Sequence, residues 1–140
     1  MSADIESGKD LYEEGMRVRR RVLGTEYVDR ATSHADELTV EFQKFMTTYC
    51  WGGVWTDDRL APADHSLLVL GITAALGKTG EFEVHSRGAL RNGVTPEQLT
   101  AVMRQIAVYA GVPAAVSMLP GVRKAIAEHE AEQAAGRESA

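Results

Sequence analysis

Apolar residues recur at helical spacing along almost the entire chain, and no alternating run of β-branched residues interrupts them. In the segment 26–50, for example, an apolar stripe runs through Leu38, Phe42, Phe45, Met46 and Tyr49. This spacing is typical of one buried face of a helix, whereas a half-buried strand requires a period of two. The pattern predicts an all-α fold, a compact bundle of about six helices.

Local signals mark where several helices begin and end. Thr95 can cap a helix that starts at Pro96, and Gln98 stands where it completes a capping box. The segment 67–76 is apolar on nearly every side, which places its helix at the centre of the bundle or in a subunit interface. Near the C-terminus, Pro120-Gly121 is expected to kink or break the last helix.

The 140 residues fit one domain, predicted over 1–132, with a polar, disordered tail over 133–140. A net charge of -5 argues against nucleic acid as a partner. No apolar run is long enough to cross a membrane, and the N-terminus does not resemble a signal peptide, so a cytoplasmic protein is expected. Cys50 is alone, which excludes an intrachain disulfide, and a structural role is expected for it.

The four histidines lack the spacing of common metal sites, and no cofactor motif is present, so neither a metal nor a cofactor is expected. Glu81 and His85 are four residues apart and therefore share a helical face. A carboxylate beside a buried imidazole orients the ring and raises its pKa, which suits a proton donor. The alternative is a hydrogen-bonded core histidine with a surface partner.

Other polar residues are candidates for substrate binding. Arg87 can hold a carboxylate through two parallel hydrogen bonds, or it can form a helical ion pair with Glu83. His65 and Ser66 lie next to the apolar segment 67–76 and either line a pocket or satisfy each other.

Two further groups have structural interpretations. Trp51 and Trp55 are expected to pack in a subunit interface rather than form a pocket wall. The basic run over 17–21 predicts a solvated or intersubunit face, with a weaker alternative of attracting anions.

Several stretches resemble the carboxymuconolactone decarboxylase family. They are GMRVRRRVLG (15–24), YCWGGVW (49–55), EFEVHSRGAL (81–90), NGVTPE (92–97) and YAGVPAA (109–115). The first two look like the narrower group of protocatechuate-pathway decarboxylases. The resemblance covers nearly the whole predicted domain.

The resemblance implies a fold like that of alkylhydroperoxidase D, assembled as a homotrimer or homohexamer. It also implies cofactor-free decarboxylation of a small anionic lactone, 4-carboxymuconolactone, to 3-oxoadipate enol-lactone. His85 would then be the general acid, oriented by Glu81, with Arg87 and His65 holding carboxylates. The peroxidase branch has a Cys-x-x-Cys-x-x-x-His motif where this chain has Lys78, Glu81 and His85, so thiol peroxidase activity is excluded.

The sequence departs from the family pattern at two places. His65 stands where relatives commonly have Arg, and Pro120-Gly121 interrupts a helix that is usually continuous. The first departure leaves open a different lactone or enolisable acid in secondary metabolism. A non-catalytic ligand-binding oligomer is a further alternative.

Overall fold

The computed structural model describes residues 8–139, which are helical for most of their length and contain no strand. The prediction of an all-α fold is therefore confirmed. The chain divides into two compact units, Met1–Ala61 and Pro62–Ala140. Seven α-helices and one π-helical turn are described, in the order α1 (Gly8–Leu23), α2 (Thr25–Ser33), α3 (Glu37–Met46), π turn (Thr47–Gly52), α4 (Pro62–Ala75), α5 (Thr79–Arg91), α6 (Pro96–Ala110) and α7 (Val112–Glu138). No described helix is long and apolar enough to span a membrane.

The N-terminal unit is organised by the packing of α1 against the π turn. A Cβ atom added to Gly15 would lie 2.2 Å from the carbonyl oxygen of Thr47, and one added to Gly52 would lie 2.2 Å from that of Leu11. The two backbones therefore touch directly, which only glycine permits at these positions. Val18 and Val22 extend the buried face of α1.

The apolar stripe of α3 is not buried, contrary to the sequence prediction. Leu38 is 83% exposed, and Phe42, Phe45 and Tyr49 are each more than half exposed. Helical periodicity reveals that a face is apolar but does not reveal what covers it. Within this chain the main neighbour of α3 is the π turn, so the stripe stays open.

Three other expectations in this unit need correction. Arg19 belongs to the basic run predicted to be solvated, yet it is 3% exposed. Trp51 and Trp55 are buried within the chain, with their rings stacked and the centroids 4.7 Å apart, rather than available to another subunit. Cys50, for which a structural role is expected, is exposed beside the buried Trp51 and so is not part of the core.

The C-terminal unit contains a continuous apolar core built from α4, α5, α6 and α7. Its largest fully buried side chains include Phe82, Leu70 and Leu99. The capping box predicted at the start of α6 is present, since the Thr95 hydroxyl accepts from the Gln98 amide and the Gln98 side chain accepts from the Thr95 amide. Helix α4 buries one side, while Leu68 and Ile72 on its other side, and Leu76 just after its end, are more than half exposed.

Helix α7 is continuous through Pro120, so the predicted break does not occur. Proline leaves the carbonyl of Val116 without its helical partner, but Val116 is exposed to water, which can satisfy that group. A Cβ on Gly121 would lie 3.1 Å from the Cβ of Glu83, so the glycine allows α5 and α7 to approach closely. This packing holds the helix together across the proline.

Helix α7 also extends through Glu138, into the segment 133–140 that the sequence predicts to be disordered. The described residues of this segment are all exposed, so tertiary packing does not explain their conformation. The composition does, because alanine, glutamate, glutamine and arginine all favour helix.

Candidate active site

Helix α5 carries the proposed proton-transfer residues in the C-terminal unit. His85 is on the buried side of α5 with Phe82 and Ala89, and its side chain is 9% exposed. Glu81 is one turn earlier, and its Oε2 lies 3.8 Å from Nε2 of His85. The structure therefore brings together the pair that the four-residue spacing predicts.

The two partners have different environments, which corrects one expectation about the imidazole. The Glu81 side chain is 64% exposed, so water screens its charge. Burial dominates and lowers the pKa of His85 to about 4, because an imidazolium is poorly solvated in the core. The expected rise in this pKa is therefore wrong, and His85 is neutral at neutral pH.

Arg87 lies two residues beyond His85 and points away from it toward α7. Its Nη1 donates to Oε2 of Glu128 at 2.6 Å and lies 3.9 Å from Oε2 of Glu83. Lys124 approaches the same oxygen of Glu83 at 3.5 Å. The ion pair with Glu83 that the sequence suggests is present, and a stronger one with Glu128 accompanies it. Substrate binding by Arg87 stays a prediction.

His65 and Ser66 lie in the first turns of α4, and both are buried. Oγ of Ser66 accepts a hydrogen bond from Nδ2 of Asn92 at 3.0 Å, and the same amide nitrogen lies 3.2 Å from the carbonyl oxygen of Pro62. Asn92 caps the C-terminal end of α5. The contact thus ties the start of α4 to the end of α5, the helix that carries His85.

The role of Asn92 was not apparent from the sequence. Asn-Gly at a helix terminus is an ordinary stop signal that indicates backbone conformation only. Nothing in the spacing of residues 66 and 92 indicates that their side chains meet.

A model of the carboxymuconolactone decarboxylase family matches residues 41–124, more than half of the chain. The chain belongs to the carboxymuconolactone decarboxylase family. The resemblance seen in the sequence motifs is thereby confirmed.

Individual relatives carry two different substrate names. The chain is 36% identical over 129 residues to nitrosuccinic acid decarboxylase npaB of Metarhizium robertsii, which covers 90% of each protein. It is 34% identical over 103 residues to 4-carboxymuconolactone decarboxylase of Acinetobacter baylyi, covering 74% of this chain and 77% of the relative. A 4-carboxymuconolactone decarboxylase of Pseudomonas putida is 41% identical over 44 residues, which are 31% of this chain and 92% of that sequence.

Proposed function

We propose that this protein is a cofactor-free carboxy-lyase that converts 4-carboxymuconolactone to 3-oxoadipate enol-lactone and CO2. Membership in the family and the decarboxylase names of the relatives support the reaction class. The observation that carries the proposal is the buried His85 beside Glu81 on α5, within the segment that matches the family model.

The substrate itself can accept the electrons that decarboxylation leaves behind. The carboxylate that leaves is attached to a ring carbon next to a double bond, and this double bond is conjugated with the lactone carbonyl. When this carbon–carbon bond breaks, CO2 leaves and the electron pair moves into a dienolate. A proton added next to the carbonyl then gives the product. The protein has to hold the anion, stabilise the oxyanion and supply one proton per turnover.

His85 is the group we assign to the proton transfer. It is neutral in the free protein, but a substrate carboxylate at the site replaces part of the solvation that burial removed and favours the imidazolium. The imidazole then takes a proton from solvent and delivers it to the dienolate. Glu81, near Nε2, stabilises the imidazolium and orients the ring. Binding and proton supply are thereby coupled.

We propose different roles for three further residues. His65 contacts the substrate, since it is buried at the start of α4 beside the Ser66–Asn92 hydrogen bond. That hydrogen bond favours an anchoring role for Ser66. The pairing of Arg87 with Glu128 means that a substrate carboxylate would have to compete with an existing ion pair.

A nitro acid is the second candidate substrate, and the match with the nitrosuccinic acid decarboxylase over 90% of the chain favours it. In nitrosuccinic acid one carboxylate and the nitro group share a carbon. Loss of that carboxylate as CO2 moves the electron pair into a nitronate, which is then protonated on carbon. The demands on the protein are the same as for the lactone: anion binding and one proton from His85.

The test is to supply purified protein with enzymatically generated 4-carboxymuconolactone and, separately, with nitrosuccinate, and to measure CO2 release. We expect release of CO2 from the lactone. Turnover in His85→Gln should fall by a factor of about 100 or more, which is the usual contribution of proton-transfer catalysis. His34→Gln, at the exposed position that follows α2, is the matched control and should retain wild-type turnover. Circular dichroism checks that both variants remain helical.

Each alternative result has a definite meaning. Release from nitrosuccinate alone would replace the lactone with the nitro acid. No release from either compound would contradict the proposal and favour a different lactone or enolisable acid, or the non-catalytic alternative. Full activity in His85→Gln would remove this residue from the mechanism.

A further inference from the structure

The N-terminal unit contains a cavity that none of the proposed catalytic residues lines. Its volume is about 810 Å³, and it opens to solvent beside α3 and the π turn. Sites for small organic molecules are commonly about 300–1,000 Å³ in volume, mostly apolar, with a few oriented polar groups. Phe45, Tyr49 and Val40 supply apolar wall here, and the Phe45 and Tyr49 rings lie against each other with centroids 5.1 Å apart.

A buried arginine fixes the orientation of the polar wall. Nη1 of Arg19 donates to Oε1 of Gln43 at 2.8 Å and to Oγ1 of Thr47 at 3.1 Å. Gln43 and Thr47 both line the cavity. Since a guanidinium has donors and no acceptor, the oxygen end of the Gln43 amide must face Arg19. The NH2 end therefore points the other way, and it is the end that Gln43 presents to the cavity.

The polar groups of this wall favour a hydrogen-bond acceptor. The charges of the lining residues Lys44 and Glu41 balance, and the guanidinium of Arg19, which is 3% exposed, lies behind Gln43. An amide held with its donors outward offers hydrogen bonds to a ligand oxygen and repels a ligand donor. The wall is thus set to receive a negatively charged acceptor.

We propose that this cavity binds a small organic carboxylate with an apolar body, whose oxygen accepts a hydrogen bond from Nε2 of Gln43. The apolar part of the ligand packs against Phe45 and Tyr49. All the lining residues belong to the N-terminal unit, whereas His85 belongs to the C-terminal one, and the inference does not depend on the proposed reaction.

Benzoate is a suitable probe, and its binding is measured by titration calorimetry on the full-length protein. The decisive variant is Gln43→Glu, because a carboxylate can still accept from Arg19 but has no donor and repels benzoate. We expect its affinity for benzoate to fall at least tenfold. Gln105→Glu makes the same chemical change at an exposed position of α6 and should bind like the wild type.

Two more variants keep the test decisive if Gln43→Glu perturbs the fold. Lys44→Gln removes an exposed charge at the cavity and should weaken benzoate binding severalfold. His85→Gln should leave it unchanged, because the cavity is in the other unit. The proposal is overturned if benzoate does not bind the wild type, if Gln43→Glu and Lys44→Gln bind as tightly as the wild type, or if binding depends on His85 instead.

Discussion

Acidification should destabilise this protein through His85 in a way that can be isolated and measured. Burial lowers the pKa of the imidazole from its ordinary 6.5 to about 4 in the folded chain. Between these two values the unfolded chain binds a proton at this residue and the folded chain does not. The contribution of the neutral imidazole to stability is therefore complete above pH 6.5 and is lost as the pH falls through 4.

The pKa difference sets the size of the effect. At 1.36 kcal/mol for each pKa unit, lowering the pH from 7.5 to 4 removes at most about 3 kcal/mol from the free energy of unfolding. The side chain is 9% exposed, so screening by solvent reduces this figure only modestly. Such a loss is a substantial fraction of the stability of a small domain.

The assay is urea unfolding followed by circular dichroism at pH 7.5 and pH 4.5, for the wild type and His85→Gln. Carboxyl groups such as Asp36, whose pKa is lowered by the hydrogen bond from the Thr39 amide, also destabilise the protein in acid. They contribute equally in both proteins, so the difference in pH dependence belongs to residue 85. We expect the variant to lose about 2–3 kcal/mol less than the wild type on acidification. Equal losses in the two proteins would refute the reasoning, and His34→Gln should behave like the wild type.

Two further predictions concern packing and assembly. Gly15→Ala should destabilise the protein by about 3 kcal/mol or more, because its Cβ would overlap the Thr47 carbonyl. Gly71→Ala, whose Cβ would have nothing within 4 Å, should be neutral or stabilising. Thermal unfolding distinguishes the two variants, and equal melting temperatures would contradict the described contact. We propose a homotrimer or homohexamer that covers the exposed apolar face of α4, so light scattering should give three or six times 15.2 kDa. Ile72→Glu should reduce that mass, and a monomeric wild type at micromolar concentration would exclude the assembly.

The parts of the fold that follow from local sequence were predictable. The Thr95 capping box and the helical character of most segments depend on neighbours within a few residues, and the structure contains both. Continuity of α7 through Pro120 was not predictable, because it depends on contact between Gly121 and Glu83 of another helix. Propensity at one residue carries no information about such a contact.

The candidate site, like the fold, was predictable from the sequence only in part. The spacing of Glu81 and His85 placed them on one face of α5, and the hydrophobic neighbours indicated burial of the histidine. The direction of its pKa shift was wrong, because spacing does not reveal that Glu81 is exposed while His85 is not. The burial of Arg19 could not be predicted, because it depends on hydrogen bonds to Gln43 and Thr47, which are 24 and 28 residues away. Helical periodicity does not connect residues so far apart.

The crossing of α1 with the π turn restricts how this protein can diverge. Gly15 and Gly52 each face backbone rather than a side chain, so no second-site change of side chain can make room for a larger residue at either position. Both glycines must be kept as long as α1 and the π turn stay in contact. Substitutions in relatives should instead accumulate on the outward side of α1, at positions such as Glu13 and Arg17. A relative that lacks one of these glycines would have to separate the two helical segments, and the part of the cavity wall formed by Thr47 and Thr48 would move with them.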